Sequence, residues 1–325
     1  MTIASAPAAA AAAADASVRW HPGGPFNLLQ SLGILMRGNG DPSFANCPDG
    51  LWMAFTTPDG PATLRLTAVS GPEGFVDAQA WGPGAESAIA RVPRLLGSDD
   101  DWSAFDEPAF HAGLPRLVVE ARRRNPGLRL PATGRVVDSL VPTILEQKVT
   151  TIEARRGYRY LMYRYGSPAP DAGRHAPSGL LVAPTAAQWL GIPSWEWHKA
   201  GVGPQRSATV MRALRSAAGL ERLALLDAAE AGAKLQTITG IGIWTAAEVL
   251  QRTHGCPDSI AVGDYHLASF VGYALTGKKT DDAGMLALME PWRGHRQRVV
   301  RMLGLSGFRK PAFGPRITIQ DHRRH

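Results

Sequence analysis

A chain of 325 residues with 45% hydrophobic content has the length for two or three domains and a sizeable core, and no apolar run in it is long enough to cross a membrane as a helix. Two cysteines, Cys47 and Cys256, exclude a disulfide scaffold, a cysteine-rich zinc site and a four-cysteine iron–sulfur cluster, and they fit a reducing cytoplasm. The net charge of +7 is unevenly shared: residues 1–115 hold 5 Arg and no Lys against 12 Asp and Glu, while 116–325 hold 30 Lys and Arg against 16 acidic residues. A basic stretch of that size points either to a polyanionic partner or to a solvated basic surface, and charge alone does not choose between them.

Taken in chain order, residues 1–16 are Ala-rich without a basic leader, a poor signal peptide, and are expected to form a disordered tail. Residues 17–115 read as an α+β domain. Within it LWMAFTTPDGPATLRLTAV alternates in part around Asp59–Gly60, which predicts a β-hairpin, and AESAIARVPRLLG has helical spacing. From 116 to 310 the signals are almost all helical. RVVDSLVPTILEQ places Val137, Leu140, Val141, Ile144 and Leu145 on one helix face, and Pro142 should start or kink that helix. Thr150-Thr151-Ile152-Glu153 fits a capping box that opens a second helix. Residues 166–184 are Pro- and Gly-rich and read as a loop; GPQRSATVMRALRSAAG reads as an amphipathic helix. Two short helices flank Pro291, and 311–325 form a basic tail. The fold class expected is α+β, an antiparallel sheet domain followed by an all-α region.

The stretch LQTITGIGIWTAAEVL sets two glycines one residue apart between two helical patterns. Glycine permits positive φ and lets another backbone or a ligand come close. The corner is therefore either a plain helix-to-helix turn or an anion site, since free N–H groups at a helix start attract phosphate. Twenty residues after Trp244, Asp264 stands at the head of another helical pattern, where it can serve as an N-cap.

With its spaced aspartate in VGDYHL, the LxxIxGIGxWTA motif resembles the helix-hairpin-helix DNA glycosylase superfamily. NPGLRLPATGRVVDSLVPTILEQKVTTIEARRGYRYLMYRYG, PFNLLQSLGIL and PWRGHRQRVV resemble its 3-methyladenine DNA glycosylase II branch, so the likeness covers roughly residues 17–305. The resemblance implies that the amides of Thr239, Gly240, Ile241, Gly242 and Thr245 hold a phosphate of double-stranded DNA, with a monovalent cation at the hairpin as the one ion expected and no other cofactor. Thr239 stands where the family has proline. The resemblance makes Asp264 the catalytic carboxylate, which stabilises an oxocarbenium-like sugar. A helix start favours negative charge, so capping and catalysis are compatible. Lysine occupies the Trp244 position in bifunctional relatives; tryptophan forms no Schiff base, so a monofunctional enzyme is implied. Trp244 then lines the base pocket or packs in the core, and Tyr265 edges that pocket or serves as a core aromatic. Glu248 and Arg301 fall where the branch carries pocket aromatics, which implies a more polar pocket.

By the same resemblance Gln147 and Lys148 fall where the family places the wedge that fills the gap left by a flipped base; otherwise Lys148 is a solvated surface lysine. Arg155, Arg156, Arg159, Arg206, Arg212, Arg296 and Arg298 are candidates for a basic DNA face, or solvated charges. The nine histidines show no metal-binding spacing, so no catalytic metal is expected. The resulting expectation is a monomeric, cytoplasmic, nucleoid-associated DNA repair enzyme releasing an alkylated purine from damaged duplex DNA. The same chemistry on hypoxanthine, uracil or an oxidised base, and a non-catalytic duplex-binding protein, are the alternatives.

Overall fold

The computed structural model describes residues 13–71, 73–171 and 173–311. Most of the expected Ala-rich tail, and the basic tail from 312 onward, lie outside the described residues. Five antiparallel strands form the first sheet: β1 (Ala16–Trp20), β2 (Phe44–Cys47), β3 (Gly50–Thr57), β4 (Gly60–Val69) and β5 (Phe75–Trp81), in the order β1-β5-β4-β3-β2. The expected hairpin is β3–β4. Its register pairs Thr57 with Gly60, so the turn is Pro58-Asp59, and Gly60 takes the positive φ that closes it.

Alternation in β3 is masked because both faces of the strand are buried. Leu51, Met53 and Phe55 join a core with Leu32, Val92 and Leu95, whereas Trp52 and Ala54 pack with Trp81, Leu180 and Val182. The second set explains the fate of the Pro/Gly-rich segment. It contributes a two-stranded ribbon, Ser167–Pro168 with Leu181–Val182, and covers the back of the sheet.

The rest is helical, with two cores. One gathers helices Val136–Leu145, Thr151–Tyr165, Pro204–Leu214, Ala228–Gln236 and Ile243–Thr253 around Leu140, Ile144, Leu161, Val210 and Val249. The other joins Trp102, Phe105 and Val118 to Val271, Met285, Val299 and Met302, so segments near 102–128 pack on the C-terminal helices. The capping box at Thr150 and Glu153 has both of its reciprocal bonds.

Pro142 does not start its helix. Val136 does, because the Glu221 carboxylate accepts from the Val136 and Val137 amides and supplies the cap from a distant helix. Pro142 sits inside the helix, where it has no amide to donate to the Asp138 carbonyl; the next carbonyl, Ser139, accepts from Thr143 Oγ1 (2.7 Å) and Arg37 Nη2 (3.2 Å). No helix among the described residues is long and apolar enough to cross a membrane.

Candidate active site

Helix Ala228–Gln236 ends at Thr237, and the chain turns through Ile238–Gly242 into helix Ile243–Thr253. Ile241 is buried and anchors the turn from below, its amide donating to the Ile238 carbonyl (2.9 Å). Gly240 has φ +97°, and a Cβ there would collide with Thr209, so only glycine fits. Gly242 is exposed, caps the second helix without a side chain and faces open space. The first amides of that helix therefore have no intrahelical acceptor and no side-chain cap, which is the condition for holding an anion.

The hairpin is braced from two sides. Arg212 Nη1 donates to the Thr239 carbonyl (2.6 Å), and Gln147 Nε2 donates to the Gly240 carbonyl and to Thr245 Oγ1 (both 2.9 Å). The Thr239 carbonyl is thereby occupied by a guanidinium. Thr245 itself is buried and acts through its hydroxyl.

Gln147 and Lys148 form the bend between helices Val136–Leu145 and Thr151–Tyr165. Gln147 is committed to the hairpin, so it joins the two turns rather than pointing outward. Lys148 is exposed and has φ +55°, a left-handed conformation rare outside glycine. The one outward-pointing side chain of this bend is thus displayed on a strained backbone.

Asp264 follows Gly263, whose φ is +91°. Its Oδ1 accepts from the His266 and Leu267 amides (both 2.8 Å), so the carboxylate caps helix Leu267–Thr276 from two residues before the helical cap position. Among the described residues Oδ2 has no protein partner, and the side chain is half-buried. A Cβ built on Gly263 would stand 4.0 Å from the Trp244 Cβ, which places the start of the Trp244 side chain beside the aspartate loop. The buried Trp244 Nε1 has no hydrogen-bond partner. Tyr265 is 77% exposed with its ring edge-on to His266, and among the described residues no ring contact joins it to Trp244. It is not a core aromatic.

Glu248 lies one turn beyond Trp244 and pairs with Arg252 (2.7 Å). Arg252 also donates to the Ile34 carbonyl (3.1 Å), and Arg301 donates to the Gln30 carbonyl (2.6 Å). Arg37 completes the group through Glu146 (2.8 Å) and Thr143 (3.0 Å). Burial, then the charge of Arg252, pushes the Arg301 guanidinium down to about 10; burial and Arg252 likewise lower Arg37. A partly open hollow of about 60 Å³ lies along the seam between sheet and helices, lined by Arg37, Asp41, Asp138 and Arg252 among others. It suits a few waters, not a purine.

Sequence reasoning missed Arg252 and Arg37. The first had a signal, its i,i+4 spacing from Glu248; the second, over a hundred residues from its partner, had none.

The arginines named for a DNA face divide. Arg298 is buried with Asp100, Arg296 pairs with Asp258, and Arg206 donates to the Leu145 and Gly201 carbonyls. Arg159 donates to the Asn39 carbonyl, and the Arg155 guanidinium packs under Gly38. Arg298, Arg296, Arg206 and Arg159 tie the fold together, because a planar guanidinium satisfies carbonyls and carboxylates well, while Arg155 only packs there; Arg212 braces the hairpin. Trp292 Nε1 donates to the Gly113 carbonyl, a structural link. Among the described residues no group of His, Cys, Asp and Glu could hold a metal ion.

The chain matches no protein-family model and no curated protein sequence. Its fold does match solved structures. A 3-methyladenine DNA glycosylase from Archaeoglobus fulgidus superposes with a TM-score of 0.72 at 15% identity, over 90% of this chain and 99% of that one. An 8-oxoguanine glycosylase/lyase from Clostridium acetobutylicum superposes with a TM-score of 0.64 at 10% identity, over 90% of this chain and 96% of that one. The Clostridium enzyme bound to double-stranded DNA with cytosine opposite 8-oxoguanine gives a TM-score of 0.59 at 10% identity, over 85% of this chain and 91% of that one. The chain therefore has the fold of the helix-hairpin-helix DNA glycosylases.

Proposed function

We propose that this protein is a monofunctional DNA glycosylase, which hydrolyses the bond between a damaged, flipped-out base and its sugar and leaves an abasic site. The observation that carries the reading is the Asp264 carboxylate. One oxygen is fixed by two amides and the other is free, beside Trp244, one helix away from an open hairpin. The hairpin amides grip a backbone phosphate and position the duplex without reading sequence. Lys148 enters the gap left by the base, its bend held against the hairpin by Gln147. As the C1′–N bond breaks, positive charge develops on the sugar, and the fixed carboxylate stabilises it while water attacks. Trp244 offers no amine to C1′, so no covalent intermediate forms there.

An alkylated purine, stacked on the Trp244 face, is the substrate of this reading that follows from the sequence resemblance. A second reading, a neutral lesion, is favoured by the ion pairs beyond Trp244. The test of the common activity uses duplexes with single lesions, assayed for free base and for alkali-labile strands, with borohydride present in a parallel reaction. Free base and alkali-labile sites without a trapped protein–DNA adduct are expected. A borohydride-trapped adduct would overturn the monofunctional mechanism, and tight duplex binding without base release on every lesion would favour a non-catalytic binding protein.

A further inference from the structure

The hairpin rests on helix Pro204–Leu214, and three residues of that helix follow one another along it. Thr209 lies so close to Gly240 that a Cβ on the glycine would collide with it. One turn on, Arg212 Nη1 donates to the Thr239 carbonyl (2.6 Å). One turn further, at the end of the helix, Arg215 is exposed and has no partner among the described residues. Arg212 is exposed too, and among the described residues no carboxylate pairs with it. Arg296 and Arg298 differ, for Asp258 and Asp100 neutralise them.

Bracing a carbonyl needs only one neutral N–H. On the other side of the turn the Gln147 amide supplies one to the Gly240 carbonyl (2.9 Å). At Thr239 the same task falls to a guanidinium, which brings a permanent charge and further donors. The backbone amides of Thr239, Gly240 and Gly242 meanwhile donate to no protein acceptor among the described residues. Two uncompensated guanidiniums thus stand on the helix that carries three open amides.

Building on the glycosylase reading, we propose that helix Pro204–Leu214 carries a second phosphate site beside the hairpin, in which Arg212 and Arg215 take the phosphate next along the strand from the one that the amides receive. The Thr239 carbonyl holds the Arg212 guanidinium in place before DNA arrives, so less side-chain freedom is lost on binding. Its remaining N–H groups suit a phosphate oxygen pair, and Arg215 adds a second charge. The duplex is then held by two kinds of donor, amides on the hairpin and guanidiniums on the helix beneath it.

The test titrates the full chain with an undamaged duplex over a series of salt concentrations. Arg212→Gln keeps a donor for the Thr239 carbonyl and removes the charge; Arg212→Lys keeps the charge. Arg212→Gln and Arg215→Gln are each expected to weaken binding about tenfold at low salt and to make the log–log salt dependence shallower by about one. Arg212→Lys should retain the wild-type slope, which a mere brace would not require. Unchanged slopes in both glutamine variants overturn the second site and leave Arg212 as a brace. If Arg212→Gln fails to fold, the slope of Arg215→Gln decides alone. The slope is read without a lesion, so its failure leaves the glycosylase reading standing; a wild type that binds no duplex overturns both.

Discussion

The hairpin and the ionic cluster stand close together and work by opposite means. At Thr239, Gly240 and Gly242 the working groups are backbone amides of exposed residues, two of them glycines without side chains, while the Ile241 amide is taken by the Ile238 carbonyl. At Glu248, Arg252, Arg301 and Arg37 the working groups are side chains drawn from three distant segments and held by ion pairs and carbonyls. The hairpin can grip any duplex, since a phosphate looks the same beside every base. The ionic cluster instead ties the sheet domain to the helices through pairs that exist only in the folded chain. The two are thus separable in this protein, one written in local backbone geometry and the other in tertiary pairing.

The largest effect should come where the two meet. Asp264→Asn keeps the shape and the amide bonds but removes the charge, and single-turnover base release should fall by about 100- to 1000-fold with duplex affinity nearly unchanged. A loss of affinity matching the loss of rate would show that Asp264 positions DNA instead.

Next comes the ionic cluster. The Arg37–Glu146 pair is largely buried, and Arg37 also satisfies Ser139 and Thr143. Arg37→Ala leaves the Glu146 carboxylate without its ion-pair partner, and should cost about 3 kcal/mol in denaturant unfolding. A change near zero would mean that the Arg37–Glu146 pair adds nothing net to the join between the sheet and helical parts.

At the hairpin, Gly240→Ala must place a side chain at φ +97° against Thr209. It should lower affinity for damaged and undamaged duplexes alike by about tenfold, with about 1–3 kcal/mol lost in stability. A loss confined to damaged duplexes would contradict a grip that is blind to the base.

These expectations rest unevenly on the sequence. The β3–β4 hairpin, the capping box at Thr150 and Glu153 and the Gly-Ile-Gly corner were legible because each is a few consecutive residues whose local chemistry dictates their conformation. The start of helix Val136–Leu145 was not, because its cap is Glu221, some eighty residues away. The arginines offered for a DNA face divided for the same reason, with Arg298 buried and Arg212 exposed at the hairpin. A surplus of arginine shows in the composition, but whether Arg298 meets Asp100 or a phosphate is decided by tertiary contact. Asp264 was found by its spacing from the hairpin, whereas its one free oxygen needed the structure.

The smallest effect should be at Lys148. Lys148→Gly relieves a left-handed backbone and should raise stability by up to about 1 kcal/mol. The same change should slow base release and make the salt dependence of duplex binding shallower by about one charge. A stabilised variant with unaltered release would remove Lys148 from the flipping step.

The most direct measurement of the central claim is single-turnover release of free base, identified by mass spectrometry, by the wild type and Asp264→Asn at matched duplex occupancy. The account predicts free base and an intact abasic strand from the wild type, and almost none from the variant. Equal release by both proteins, or none by either across alkylated, oxidised and deaminated lesions, would contradict it.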